Sequence, residues 1–150
     1  KGVFDADALI NPLPVAKESL YTPHAGEFVR MCGVHPGTTP YERAHAIQKS
    51  EVPGTVLLKG PVDVIGDGKR IRFNRTGTPA MTTGGTGDVL AGVCAALLVQ
   101  VPAFEAACIG AYGTGRAGEL LTRTVGYGMT ARDLIAMVPQ VLFRENSEGE

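Results

Sequence analysis

Thr76-Gly77-Thr78-Pro79-Ala80-Met81-Thr82-Thr83-Gly84-Gly85-Thr86-Gly87-Asp88-Val89-Leu90-Ala91-Gly92, residues 76–92, is the run on which the reading of this 150-residue sequence turns. Gly84, Gly85 and Gly87 allow a tight main-chain turn and bring N–H groups up to a ligand that a Cβ would hold off. From Asp88 onward, Val89, Leu90, Val93, Leu97 and Leu98 with alanines between them predict a buried helix to about Gln100. The first turn of a helix has unpaired N–H groups and the positive end of the macrodipole, so the run reads as a cradle for a phosphate. Asp88 stands beside that cradle, where a carboxylate is electrostatically unfavourable unless it has a task. It is either a base that takes the proton of an attacking hydroxyl or a cap of the helix, where Asp is a favoured residue. No Gly-Lys-Ser or Gly-Lys-Thr closes the loop, so it is not a P-loop.

Upstream, Val3-Phe4-Asp5-Ala6-Asp7-Ala8-Leu9 predicts a short strand ending in two acids, Asp5 and Asp7, at the end of a strand where ligands gather in open α/β sheets. A solvated turn is the alternative for the same residues. Asn11-Pro12-Leu13-Pro14 is a loop. Leu20 to Phe28 reads as a strand, a turn containing His24 and Gly26, and a short helix to about Met31. Thr39-Pro40-Tyr41-Glu42 opens a helix to about Lys49, with Thr at the cap, Pro at the first position and Glu where a capping box needs it. Thr55-Val56-Leu57-Leu58-Lys59 is continuously apolar and predicts a buried strand whose terminal Lys59 meets either a nucleotide or solvent. Val62–Ile65 and Arg70–Phe73 alternate about Gly66-Asp67-Gly68-Lys69 as a hairpin that delivers the chain to the glycine loop.

Downstream, Pro102 opens another helix. Gly113-Thr114-Gly115-Arg116-Ala117-Gly118 within it fits G-x-G-x-x-G, with Asp133 twenty residues after Gly113. A dinucleotide site requires a preceding strand, whereas a helix of small residues precedes this run, so its glycines are read as permitting close helix packing. Thr130-Ala131-Arg132-Asp133 caps a last helix that holds Pro139, and a polar tail follows from Arg144.

The formal charge of -1, with lysines and arginines scattered, leaves no footprint for nucleic acid or an anionic membrane. The longest apolar run is broken by Gly92 and Gln100 and is too short to span a bilayer. Cys32, Cys94 and Cys108 lack C-x-x-C spacing and read as reduced thiols of a cytoplasmic protein. His24, His35 and His45 are far apart and suggest no metal site. The opening Lys1-Gly2-Val3-Phe4-Asp5 has no initiator Met, and a fragment or processed product is expected.

Gly-Gly-Thr-Gly-Asp-Val-Leu-Ala-Gly (84–92) resembles the signature of ribokinase-like enzymes. Taken with Phe4–Leu9, Thr22-Pro23-His24-Ala25-Gly26-Glu27-Phe28, Leu58-Lys59-Gly60 and Thr130–Leu134 in that order, it resembles the ADP- or ATP-dependent NAD(P)H-hydrate dehydratase family over nearly the whole chain. The resemblance implies an α/β fold, a ribokinase-like layered α/β/α sandwich, with residues 1–150 as the C-terminal part of one domain that lacks its N-terminal part. It implies phosphorylation of the ring hydroxyl of (S)-NAD(P)H hydrate and elimination of phosphate, with ADP or ATP as co-substrate and Mg2+ as cofactor.

Carried over by residue, Asp88 would be the catalytic base. His24, Gly26, Asp7 and Asp88 would bind substrate. Lys59, Gly60, Pro61, Val62 and Asp63 would line the adenine nucleotide, and Gly84, Gly85, Thr86 and Gly87 would hold its phosphates. The expected partners are NAD(P)H hydrate, the nucleotide, the earlier part of the domain and further copies of the chain. Tyr112-Gly113 stands where family members often carry His-Gly, and an isolated chain of this extent would expose a sheet edge. Two other functions fit the same residues: a ribokinase-like kinase of a small hydroxylated vitamin precursor or sugar, which would release a stable phosphorylated product, and a nucleotide-binding module without turnover.

Overall fold

The computed structural model describes residues 1–143; the polar tail expected from Arg144 lies outside them. A single sheet in the order β1 (Gly2–Phe4), β2 (Ser19–Tyr21), β3 (Thr55–Leu58), β4 (Asp63–Gly66), β5 (Ile71–Asn74) forms the middle layer. β1, β2 and β3 run parallel, and β4 and β5 return as an antiparallel hairpin. Side chains alternate across a strand, and here both sets are apolar. Leu20, Leu57 and Ile65 pack on one face with α3 (Thr86–Leu98) and α4 (Ala103–Val125). Tyr21, Val56, Leu58 and Val64 pack on the other with α1 (Ala25–Cys32) and α2 (Pro40–Lys49). α5 (Ala131–Leu142) closes a third cluster against α3 and α4. The continuous apolar run of β3 follows from burial on both faces.

Helix starts fall where cap chemistry places them. Thr39 and Thr130 each complete a reciprocal capping box, with Glu42 and Asp133. The Glu42 carboxylate accepts from the N–H groups of Thr38 and Thr39, both at 2.9 Å, and these bonds hold its pKa down to about 2 from 4.5. A depressed carboxyl stabilises the fold above its unfolded pKa and loses that contribution as pH falls through the folded value. Glu42→Gln is therefore expected to flatten part of the thermal-stability decline between about pH 4.5 and about pH 2. Melting curves across that window check it.

The loop helix begins earlier than the periodicity predicts. Its cap is Gly85, at φ +90°, so Thr86 and Gly87 already belong to the first turn, and the cap reading of Asp88 is corrected: it is the third helical residue. Apolar periodicity cannot register Thr or Gly, which is why the predicted start was two residues late.

α4 runs 23 residues without a break through the G-x-G-x-x-G look-alike. Gly113 is a helix contact, as expected, whereas Gly115 and Gly118 meet the connection from β5. A Cβ at Gly113 would lie 2.5 Å from the Leu142 side chain, and one at Gly118 would strike Met81. At Gly115 it would lie 2.7 Å from the Thr76 carbonyl carbon, a main-chain atom that no rotamer change can move. Gly115→Ala is expected to destabilise by about 1–3 kcal/mol through overpacking. At exposed Gly92, where nothing lies within 4 Å, the same change should stabilise by up to about 1 kcal/mol from helix propensity alone. Urea denaturation of the two variants gives opposite signs if the packing assignment holds.

Cys94 is buried, and desolvation pushes its thiol up to about 12; none of the three cysteines forms a disulfide. No helix among the described residues is long and apolar enough to cross a membrane.

Candidate active site

Parallel strands end together, and the carboxyl ends of β1, β2 and β3 deliver Asp5, His24 and Lys59 to one place. Lys59 Nζ lies 3.0 Å from Asp5 Oδ1 and 3.8 Å from Glu27 Oε2, with all three side chains largely covered. The same ammonium lies against the first turn of α3, since a Cβ at Gly87 would be 3.5 Å from it. Thr86 N bonds back to Thr83 O and Val89 N to Gly85 O, which leaves the Gly87 and Asp88 N–H groups without a partner among the described residues. A cation and two free N–H groups at a helix N-terminus are what an anion requires.

His24 caps α1 with its ring. Nδ1 accepts from Gly26 N at 3.0 Å and Glu27 N at 3.2 Å, while Glu27 Oε2 accepts from His24 N at 2.8 Å. An Nδ1 engaged as acceptor places the ring proton on Nε2, which lies 3.4 Å from Glu27 Oε1. His24 is thereby a hydrogen-bond donor at the mouth of the site.

A cleft of about 780 Å³ opens beside these groups. One wall is the loop His24 faces, Lys59-Gly60-Pro61 with Asp63; the other is the connection from β5, with Thr76, Pro79 and Met81; Ala111, Thr114 and Gly115 of α4 form the floor. Burial pushes the Asp63 carboxyl above its usual range, against hydrogen bonds from Asn74 and Gly60 that favour the charged form. A Cβ at Gly60 would strike the Arg43 guanidinium, whose Nη1 donates to Lys59 O at 3.3 Å, so a side chain there would displace that arginine.

Of the residues expected at the site, His24, Lys59, Gly60, Pro61, Asp63, Thr86 and Gly87 border the cleft. Asp88 is exposed on the turn that Gly87 opens. Gly84 is exposed and Gly85 supplies the left-handed cap; both shape the turn, without lining the cleft. Gly26 donates to the His24 ring, and Val62 is half-buried behind the loop. Asp7 is exposed in the short 3-10 turn Ala6–Ala8, apart from Lys59, and of the acid pair it is Asp5 that reaches the ammonium. Sequence reasoning missed Glu27 as a partner of Lys59 and missed Asn74 altogether. The spacing His24-x-x-Glu27, that of a capping box, marks Glu27 only as part of the helix cap and not as a partner of Lys59.

A family profile described as NAD(P)H-hydrate dehydratase matches residues 2–140. The chain belongs to that family. A bifunctional NAD(P)H-hydrate repair enzyme of Methanospirillum hungatei is 79% identical over 150 residues, covering 100% of this chain and 31% of the relative. The crystal structure of the ADP/ATP-dependent NAD(P)H-hydrate dehydratase of Bacillus subtilis, co-crystallised with ATP and Mg2+, superposes with a TM-score of 0.83 at 29% identity, over 93% of this chain and 53% of that one. A ribokinase-like superfamily protein of Enterococcus faecalis matches with a TM-score of 0.76 at 25% identity, over 93% and 51%. The layered sheet is thus the ribokinase-like α/β/α sandwich of the dehydratase family, and the chain spans about half or less of these relatives' length.

Proposed function

We propose that this chain forms the nucleotide-binding and base-bearing part of an ADP- or ATP-dependent (S)-NAD(P)H-hydrate dehydratase. The observation that carries the reading is the Lys59 ammonium against Gly87 at the N-terminus of α3, where the N–H groups of Gly87 and Asp88 are free among the described residues; the Asp88 carboxylate is exposed on the same turn, outside the residues that line the cleft. Phosphoryl transfer needs placement and charge stabilisation more than covalent help from protein. The cleft between the 59–63 loop and the β5–α3 connection takes the nucleotide, its phosphates resting on the α3 turn. Asp88 takes the proton of the hydrate's ring hydroxyl as that oxygen attacks the terminal phosphorus, whose bond to the bridging oxygen breaks and releases AMP from ADP or ADP from ATP. Loss of the resulting phosphate, with a proton from the neighbouring ring carbon, restores the double bond. His24 offers its Nε2–H to an acceptor atom of the hydrate.

Among the described residues no group of three or more ligating side chains occurs, and the Asp5 and Glu27 carboxylates are turned to the Lys59 ammonium, so this chain presents no carboxylate pair free for Mg2+, and phosphate oxygens and waters would supply most of its shell. When bound it would neutralise phosphate charge. We place residues 1–150 as the later part of a single domain of this family. β1 pairs on one side with β2 and leaves an edge that the remainder of such a domain would cover. Cytoplasmic placement and assembly with further copies belong to the same proposal.

The test mixes hydrate, Mg2+ and either ADP or ATP with the intact enzyme. Reduced-nicotinamide absorbance should return together with inorganic phosphate. A stable phosphorylated product would instead identify a kinase, and nucleotide binding without either product a binding module.

A further inference from the structure

Asn74 ends β5 directly opposite Asp63, the first residue of β4, and is buried at 8% exposure. We propose that Asn74 is a positioning residue for nucleotide binding, the side chain that fixes the spacing of the two walls of the cleft; this rests on the nucleotide reading of that cleft. Its Nδ2 donates to Asp63 Oδ2 at 3.0 Å, to Ala111 O at 3.3 Å and to Thr76 O at 3.4 Å. Its Oδ1 accepts from Thr76 Oγ1 at 2.8 Å and Thr76 N at 3.3 Å. Asp63 in turn accepts from Gly60 N at 3.0 Å. One amide therefore joins the 59–63 loop, the start of the β5–α3 connection and the α4 floor, each of which borders the cleft, from a position behind it.

Only an amide suits this place. The Asp63 carboxylate and two carbonyls demand a donor, while the Thr76 N–H and hydroxyl demand an acceptor. A carboxylate would set like charges against each other, and an apolar side chain would leave buried polar groups unpaired, which costs more than the bonds contribute. The connection has a second anchor further along, Glu119 Oε1 accepting from Gly77 N at 3.0 Å, so loss of Asn74 frees the walls relative to each other without releasing the loop from α4.

Calorimetric titration of the intact enzyme with ADP and with ATP tests this in N74A and D63N. N74A is expected to weaken nucleotide binding about tenfold or more while the KM for hydrate stays within about twofold. D63N breaks a single link at a carboxyl group that burial already disfavours, and should fold, binding nucleotide about threefold more weakly. A wild-type affinity in N74A accompanied only by a lower melting temperature would overturn the proposal, as would equal losses for nucleotide and hydrate. If N74A does not fold, unchanged affinity in D63N overturns it. Wild-type protein that binds neither nucleotide would refute the nucleotide reading itself, a result separable from failure of the Asn74 link.

Discussion

Asp88→Asn is expected to lower kcat by about 10²–10⁴-fold, the range that general-base catalysis contributes, while ADP and ATP affinities stay within about twofold. Asn keeps the size of the side chain but replaces the basic carboxylate with a neutral amide too weakly basic to take the proton. Asp88 is exposed and caps no helix, since Gly85 occupies that position, so the change removes no structural bond from the described fold. A carboxylate in the first turn favours the helix dipole by only about 0.3–1 kcal/mol. If Asp88 served the helix alone, the variant would turn over at the wild-type rate with slightly lower stability. Single-turnover measurement with saturating nucleotide separates the two, because it reads the chemical step and leaves product release out.

Lys59→Met should have the second-largest effect, a fall in kcat/KM of about a hundredfold or more. Two losses combine. The phosphate loses a cation at the α3 turn, and Asp5 and Glu27 are left as partly covered carboxylates without their counter-charge. The broken pair lowers folding stability, read as a lower melting temperature, while the lost phosphate contact is what kcat/KM reads, a hundredfold corresponding to about 2.8 kcal/mol. Lys59→Arg keeps the charge but not the compact ammonium, and its planar fork cannot take the same place between two acids and the Gly87 backbone. It should fall between Met and wild type. A Met variant within about threefold of wild type would remove Lys59 from phosphate binding and leave it as an ordinary ion-pair partner.

Much of the fold was legible because its signals are local. Capping boxes at Thr39 and Thr130 announced their helices from four residues each, and the hairpin was marked by alternation about Gly68, which adopts φ +81° in the turn. The glycine run was legible as an anion site, although its helix begins at Thr86. What was not legible is pairing between residues far apart in the chain. Lys59 and Asp5 are 54 positions apart, and Asn74 and Ala111 are 37 apart. Nothing in a local window says that Asp5, one residue past β1, turns toward Lys59 while Asp7 sits on an exposed turn. Asn74 drew no reading, since an asparagine just past a predicted strand is unremarkable until its five bonds are traced. Glu27 was hidden by its own motif: a capping-box acid already has a task in the helix, yet its second role is electrostatic.

The glycine at 115 has a bearing on how this pocket can change. At this one point of the floor the α4 backbone meets Thr76 directly, and even one methyl group is too large. New ligand preferences must therefore arise from rim positions that carry none of the contacts described above, Pro61, Pro79 and Thr82 among them. A library built to redirect the pocket should diversify those positions and leave its floor as it stands.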